Sequence, residues 1–386
     1  MDLSFTPEEQ AFAREVRSWL AEHVEVPPRF ARIEDEVEFG RRWQATLAAD
    51  RWVGIHWPPE YGGRGASPVQ VAIFNMEYAR SRAPQPVNRV GINLAGPTLL
   101  AHGTEEQKRR WLPAILTAEE IWCQLFSEPD AGSDLASLRT RAERVDGGWL
   151  VSGQKVWTSY AQFARWGICL ARTDPEAPRH RGISYLVVDM HAPGVEIRPL
   201  VQITGDAEFN EVFLSQVFVP DDHLVGALHG GWAVANTTLA HERGTAFPFK
   251  EQVVHEVYLD ELWQLAAREG RLDDVEVCDA LAQSYVELRV LRLHNWRTLS
   301  RLAKGVEPGP ESSVTKLAWT EMTQALSARA LDVVGAGAPL WWGAERNPGG
   351  GFWQRQWLWS KAASIAGGTS EVQRTIIGER ILGLPR

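Results

Sequence analysis

The apolar residues of this chain change their spacing twice, and that change restricts the fold more than any other feature. Thr6-Pro7-Glu8-Glu9 offers a cap, a proline at the first helical position and a glutamate three residues after the cap. Phe12, Val16, Trp19 and Leu20 then recur at helical spacing. Thr104 with Gln107 reads as a second cap, ahead of Trp111 and Leu112, and Val69 to Ala79 and Leu94 to Leu100 read as helices between the two. From about residue 118 the texture becomes short β-branched and aromatic runs: Trp149-Leu150-Val151, Gly167 to Ala171, Ile183 to Val188 and Val212 to Val219. Asp146-Gly147-Gly148 is a hairpin turn signal. From about residue 228 helical spacing returns. Asp279 to Leu302 puts Leu281, Tyr285, Leu288, Leu291 and Leu302 on one apolar face. The Gly305 to Pro310 segment breaks that helix, Ser312 to Val334 forms the next, and the last starts near Thr369 or Ser370. The order predicts an α+β, mostly α chain: a helical domain over 1–117, a compact antiparallel β domain over 118–222, and helices over 223–386.

Composition narrows the function. With 40 Lys plus Arg against 49 Asp plus Glu, the net charge of -9 argues against nucleic acid as the main partner. No apolar run approaches the roughly 18–20 residues that cross a bilayer, and the acidic start MDLSFTPEEQ lacks the basic and apolar regions of a signal peptide. A cytoplasmic location is expected. Cys123, Cys169 and Cys278 are too widely spaced for a zinc site or a disulfide framework, so no metal is expected. Trp341, Trp342, Trp353, Trp357 and Trp359 are too dense for one core and point to a buried subunit contact.

Three strings carry candidate chemistry. Ser127-Glu128-Pro129-Asp130-Ala131-Gly132-Ser133-Asp134 packs turn formers and hydroxyls into one loop, either a cofactor cradle or a plain β-turn. In Ser152-Gly153-Gln154-Lys155-Val156-Trp157-Thr158-Ser159, a Trp beside two hydroxyls suits a flat cofactor, or else a strand-end core position. Ala366-Gly367-Gly368-Thr369-Ser370-Glu371-Val372-Gln373-Arg374 runs two glycines into a capped helix start, a polar-ligand site or an ordinary loop-to-helix transition.

In this order and on this layout, the three strings resemble the acyl-CoA dehydrogenase family over nearly the whole chain. The resemblance implies an N-terminal helical domain, a middle β-barrel-like domain and a C-terminal four-helix bundle. It implies FAD as cofactor and an acyl-CoA thioester, oxidised to 2-enoyl-CoA, as substrate. It implies an electron-transfer flavoprotein as acceptor and a homo-oligomer, dimer or tetramer, with a heterotetramer as the other arrangement. Carried onto this sequence, Gln124, Phe126, Ser127 and Ser133 would line the flavin, with the Ser127 hydroxyl at its pyrimidine edge. Trp157 would pack against the ring, Ser159 would approach N5, and Thr369 and Glu371 would approach the FAD. Ser133 would also touch the CoA arm.

The sequence departs from the family pattern where chemistry matters most. The commonest members carry their base, a glutamate, immediately before Gly-Thr-Ser; here that position is Gly367, which has no proton acceptor and is left to line the substrate. Isovaleryl- and long-chain-type members place the glutamate before an arginine on the first C-terminal helix, matching Glu242-Arg243. Trp232, Ala235, Asn236, Leu239, Glu242 and Arg243 share helical spacing, which predicts an inward-facing Glu242 with a raised pKa, fit to act as the base, or alternatively an arginine-paired structural residue. Arg243 would then contact substrate. The family's Arg-x-x-Phe-Gly segment is missing from 244–290, and Asp332 stands where Gln opens the usual Gln-x-x-Gly-Gly string. Similar losses occur in bacterial members acting on sterol side chains, some of them heteromers. Two alternatives follow: a flavin monooxygenase on the same fold, and a non-catalytic partner subunit of a heteromer. His102 and His241 read as structural.

Overall fold

The structure, a computed structural model, describes residues 5–27, 30, 32–242, 246–306 and 309–385, and gives the backbone alone for residues 242 and 246–248. The first helices are α1 (Pro7–His23), α2 (Ile33–Ala49), α3 (Pro68–Arg80), α4 (Gly96–His102) and α5 (Glu105–Thr117). Eight strands follow: β1 (Trp122–Leu125), β2 (Arg141–Val145), β3 (Gly148–Lys155), β4 (Trp166–Arg172), β5 (Ile183–Asp189), β6 (Val195–Leu200), β7 (Phe209–Pro220) and β8 (Leu224–Val225). The chain ends in α6 (Gly231–Glu242), α7 (Ala246–Arg268), α8 (Val275–Leu302), α9 (Ser312–Val334), α10 (Phe352–Ala363) and α11 (Ser370–Ile376). Among the described residues no helix is long and apolar enough to cross a membrane.

The chain divides into two compact units. One comprises Met1–Glu25, Ser67–Ala83 and Arg243–Arg386, and the other Val26–Ala66 and Pro84–Glu242. In the first unit α1 and α3 begin on capping boxes at Thr6 and Ser67, each hydroxyl accepting the backbone N–H three residues on at 3.2 Å. Ala13 from α1 and Ile73, Met76 and Ala79 from α3 pack with Val253 of α7. Glu77, 6% exposed, is answered by Arg17 at 2.9 Å and Arg80 at 2.8 Å, as a buried carboxylate must be. Helices α7 to α10 close around Leu262, Leu288, Leu291, Trp319, Leu326 and Trp353. The buried row of α8 is Val277, Leu281, Ser284, Leu288, Leu291, Asn295 and Leu299. Tyr285 falls one residue off that row, is 48% exposed and lies beneath the Arg289 guanidinium, so its expected place on the apolar face does not hold. Of the tryptophan cluster, Trp353 joins this core at 4% exposure while Trp341 is 39% exposed.

The second unit carries the sheet, in the order β6-β7-β3-β2-β4-β5-β8. The expected hairpin forms, pairing Val145 with Gly148 across a two-residue loop with Gly147 at φ 72°. The expected class stands, but the sheet is mixed and its path stays open: β1 runs parallel to β4, and β2 meets β4 in parallel at Arg141 and Arg172. Strands β4 and β5 are buried along almost their whole length and read as continuous apolar runs rather than alternating ones. Two fully buried amides seat β1. The Asn88 N–H donates to Gln44 Oε1 at 2.9 Å, Asn88 Nδ2 donates to the Ile115 and Glu120 carbonyls, and Asn88 Oδ1 accepts the Trp122 N–H at 2.9 Å. Burying each large apolar side chain of this core contributes about 1.5–3 kcal/mol.

Candidate flavin site

Strand β3 turns its period-2 face inward at Trp149, Val151 and Lys155, then leaves the sheet. The next residues are arranged by backbone bonds on alternate positions. The Val156 N–H donates to the Ser127 carbonyl at 3.0 Å, the Thr158 N–H to Asn210 at 3.1 Å and the Tyr160 N–H to Glu208 at 2.7 Å. The first of these joins two of the three strings directly. Between them Trp157 sits at φ 61° and is 62% exposed, its ring edge-on to Phe209 at 6.1 Å. Tyr160 is also in the left-handed region, at φ 55°. A bulky side chain in this region is an outlier that persists only where its surroundings hold it, and such outliers cluster at functional sites.

Five more sequence-predicted residues lie on β1, on the segment that follows it and in the turn itself. Gln124 sits in β1 half-buried, and Phe126 is 4% exposed with its ring edge-on to Tyr185 at 5.9 Å. Ser127 and Ser159 are half-buried, and Ser133 is exposed on the loop. That loop closes on itself through the Glu128–Ala131 bridge, with bonds of 3.1 and 3.0 Å, and Asp134 pairs with Arg179.

Two residues that the sequence reading passed over hold the strings together. Lys155 Nζ is completely buried and donates to Glu128 Oε1 at 2.9 Å, the Leu170 carbonyl at 2.9 Å and the Phe126 carbonyl at 3.1 Å. The Glu128 carboxylate also accepts the backbone N–H groups of Arg139 at 2.6 Å and Thr140 at 2.9 Å. Burial pushes this carboxyl up, but the Lys155 ammonium and the donors from Thr140 and Arg139 outweigh burial and hold it below the usual carboxylate range. The signal was present in the sequence: a lysine on the core-facing period of an apolar strand requires a buried anion.

Helix α6 bears the expected base. Its buried positions are Gly231, Val234, Ala235 and Thr238, whereas Asn236 is exposed and Trp232 and Leu239 are half-buried. The inward face is thus rotated from the expected one. Thr238 accounts for the rotation: its Oγ1 lies 2.8 Å from Thr98 Oγ1 and 3.2 Å from the Tyr185 hydroxyl. Thr237 Oγ1 meets His102 Nε2 at 2.8 Å. Glu242 is the last residue of α6, four beyond Thr238 and eight beyond Val234 in the same row; its side chain, and Arg243 entirely, lie outside the described residues. In the other unit Gly367 is at φ 65°, its carbonyl accepting from Gln373 Nε2 at 3.2 Å. Thr369 caps α11, accepting the Val372 N–H at 3.3 Å, and Glu371 is exposed in its first turn.

The exposed indole, the neighbouring hydroxyls of Ser127 and Ser159, and the buried Thr158 Oγ1 left without a partner among the described residues fit a flat aromatic group with a polar edge.

Comparison with known proteins agrees with this reading of the family. Models described as acyl-CoA dehydrogenase N-terminal, middle and C-terminal domains match residues 6–119, 123–217 and 229–382. The chain is 42% identical over 388 residues to acyl-CoA dehydrogenase IpdE1 of Mycobacterium tuberculosis (strain ATCC 25618 / H37Rv), covering 98% of each. It is 44% identical to acyl-CoA dehydrogenase FadE34 of the same organism, over 95% of this chain and 50% of that one. Among solved structures, the ChsE4-ChsE5 complex from Mycobacterium tuberculosis superposes with a TM-score of 0.87 at 34% identity, over the full length of both chains. The Tcur3481-Tcur3483 steroid ACAD gives 0.89 at 29%, again full-length. This chain belongs to the acyl-CoA dehydrogenase family of flavoprotein oxidoreductases, which act on a CH–CH bond.

Proposed function

We propose that this chain is an FAD-dependent acyl-CoA dehydrogenase that forms the 2-enoyl thioester of a bulky, steroid-derived acid. The observation that carries the cofactor is Trp157, an exposed indole held at a costly backbone angle, next to the bond from the Val156 N–H to the Ser127 carbonyl. The substrate class rests on the similarity to a structure described as a steroid ACAD. Bound FAD would supply the hydride acceptor. Trp157 would stack on its flat ring, and Gln124, Phe126, Ser127 and Ser159 would line it, the two hydroxyls hydrogen-bonding its polar edge. Ser133 would meet the CoA arm, and Thr369 and Glu371 would contribute contacts to the FAD. The Glu242 carboxylate takes the α-proton as hydride leaves the β-carbon with its electron pair, so that the carbon–carbon double bond forms. Helix α6 suits that task because Thr238 pins it to Thr98 and Tyr185 one turn before the base. Gly367, with no side chain, and Arg243 would contribute to substrate binding, and an electron-transfer flavoprotein would accept the electrons.

The test is anaerobic mixing of the FAD-loaded protein with straight, branched and steroid-derived acyl-CoA thioesters, read as bleaching of the oxidised flavin. Steroid-derived thioesters should bleach it fastest, and Glu242→Gln should slow that bleaching by about 10²–10⁴-fold, the usual contribution of a positioned base. Equal bleaching by the variant would remove Glu242 from the role. A second reading, a subunit that needs a related partner chain, is favoured by the similarity to two structures described as pairs of proteins. Less than one FAD per chain, restored by a co-expressed partner, would select it.

A further inference from the structure

We propose that the buried Glu128–Lys155 pair is a positioning device that fixes the two flavin-facing strings against each other and sets the angle at which Trp157 is presented. This inference rests on the flavin reading above and adds residues to it.

The pair occupies the point where four segments converge. Lys155 ends β3, two residues before Trp157. Its ammonium has three hydrogens and three acceptors: the Phe126 carbonyl at the end of the β1 segment, the Glu128 carboxylate, and the Leu170 carbonyl of β4. Glu128 in turn takes the N–H groups of Arg139 and Thr140, which lead into β2. Lys155 is 0% exposed and Glu128 8%. A pair this deep is a poor investment for stability alone, because desolvating two charges offsets most of their attraction. Its fixed, fully satisfied geometry does something that apolar packing does not. It ties Phe126, Glu128 and the start of the Trp157 turn to one centre, and the bond from the Val156 N–H to the Ser127 carbonyl lies directly beside it. Neither residue needs to touch a flavin to decide where Ser127 and Trp157 stand.

The test has one arm without cofactor and one with it. In the first, amide exchange is measured on apo protein for wild type, Glu128→Gln, Lys155→Met, the double variant and Glu196→Gln, which opens an exposed pair on β6. The expected result is at least tenfold faster exchange at Ala131, Val156 and Thr158 in both single variants. Leu186 and Val187 in β5, and the Glu196→Gln control, should stay unchanged. The double variant, which leaves no lone buried charge, should unfold at a higher temperature than additivity of the single variants predicts. In the second arm FAD is titrated in. All three pair variants should release FAD at least tenfold faster, and their bound flavin should be more fluorescent, because a displaced Trp157 quenches it less.

Unchanged exchange at Val156 and Thr158 would overturn the proposal. So would faster exchange with unaltered FAD release and fluorescence. Failure of the wild type to bind FAD would remove the flavin reading and the positioning role together, a result distinguishable from the first because the exchange arm needs no cofactor.

Discussion

Trp157 stands at a backbone angle that glycine takes freely and that costs other residues about 1–2 kcal/mol. Replacing it with glycine removes that cost and the indole together, while adding about 0.5–1 kcal/mol of chain entropy to be lost on folding. The two nearly cancel. Trp157→Gly should therefore leave the apo melting temperature within about 4 °C of wild type and weaken FAD binding several-fold, as loss of an aromatic contact worth about 0.5–1.5 kcal/mol requires. A large fall in melting temperature with unaltered FAD affinity would show the indole acting as core. Glu128 makes the opposite kind of prediction, on pH. Its folded-state pKa is lowered, so its contribution to stability is complete above the unfolded carboxylate value of about 4.3 and is lost as pH falls through the lower folded value. Acid titration of wild type and Glu128→Gln should show a stability difference that is constant near neutrality and shrinks in this acid range. A gap that stays constant to the lowest pH would mean that folding does not lower the Glu128 pKa.

Among the elements, those with a strong local signal were legible and those defined by partners were not. Thr6 and Thr104 marked helix starts because a capping box is written in four residues, and Asp146-Gly147 marked the hairpin for the same reason. Four-residue β1 is too short to show a period, and its parallel pairing with β4 depends on chain more than forty residues away. Helical spacing gives a face to within one residue, not better: it places Tyr285 in the core of α8 and the α6 stripe a fraction of a turn out. These errors are measurable. Tyr285→Ser should change stability by less than about 0.5 kcal/mol, and Leu288→Ala should cost about 2–5 kcal/mol in denaturant unfolding; similar losses would put Tyr285 back in the core. On α6 the decisive residue is Gly231, where an added Cβ would lie 2.4 Å from the Ser184 carbonyl carbon and 2.7 Å from the Tyr185 nitrogen. Gly231→Ala must push the helix start off β5, at about 1–3 kcal/mol. Because the same helix ends in Glu242, turnover should fall by more than the loss of folded protein explains. Turnover that merely tracks the folded fraction would disconnect the helix seat from the proposed base.

At the scale of the molecule, the helical, β, helical order of the chain does not by itself reveal which helices pack together. Helices α1 and α3 come early in sequence yet pack with α7, because Ala13, Ile73 and Val253 share one apolar cluster and no local period reports a partner as distant in sequence as Val253 is from Ile73. The consequence is that the candidate residues fall in both units: Gln124 to Ser159 in the one with the sheet, Gly367 to Glu371 in the one with the helix bundle. Ligand binding makes this experimentally useful. A cofactor that binds only the folded state stabilises it by about 2.7 kcal/mol at a hundredfold excess over Kd, and slowed amide exchange appears first where the ligand is gripped. With FAD added, the flavin reading expects slowed exchange at Phe126 to Ala131 and at Val156 to Tyr160, in the sheet-bearing unit. Protection limited to α9–α11 would mean that the flavin is not seated on Trp157. The exposed indole would then need another ligand, and the hydroxyls around it another explanation.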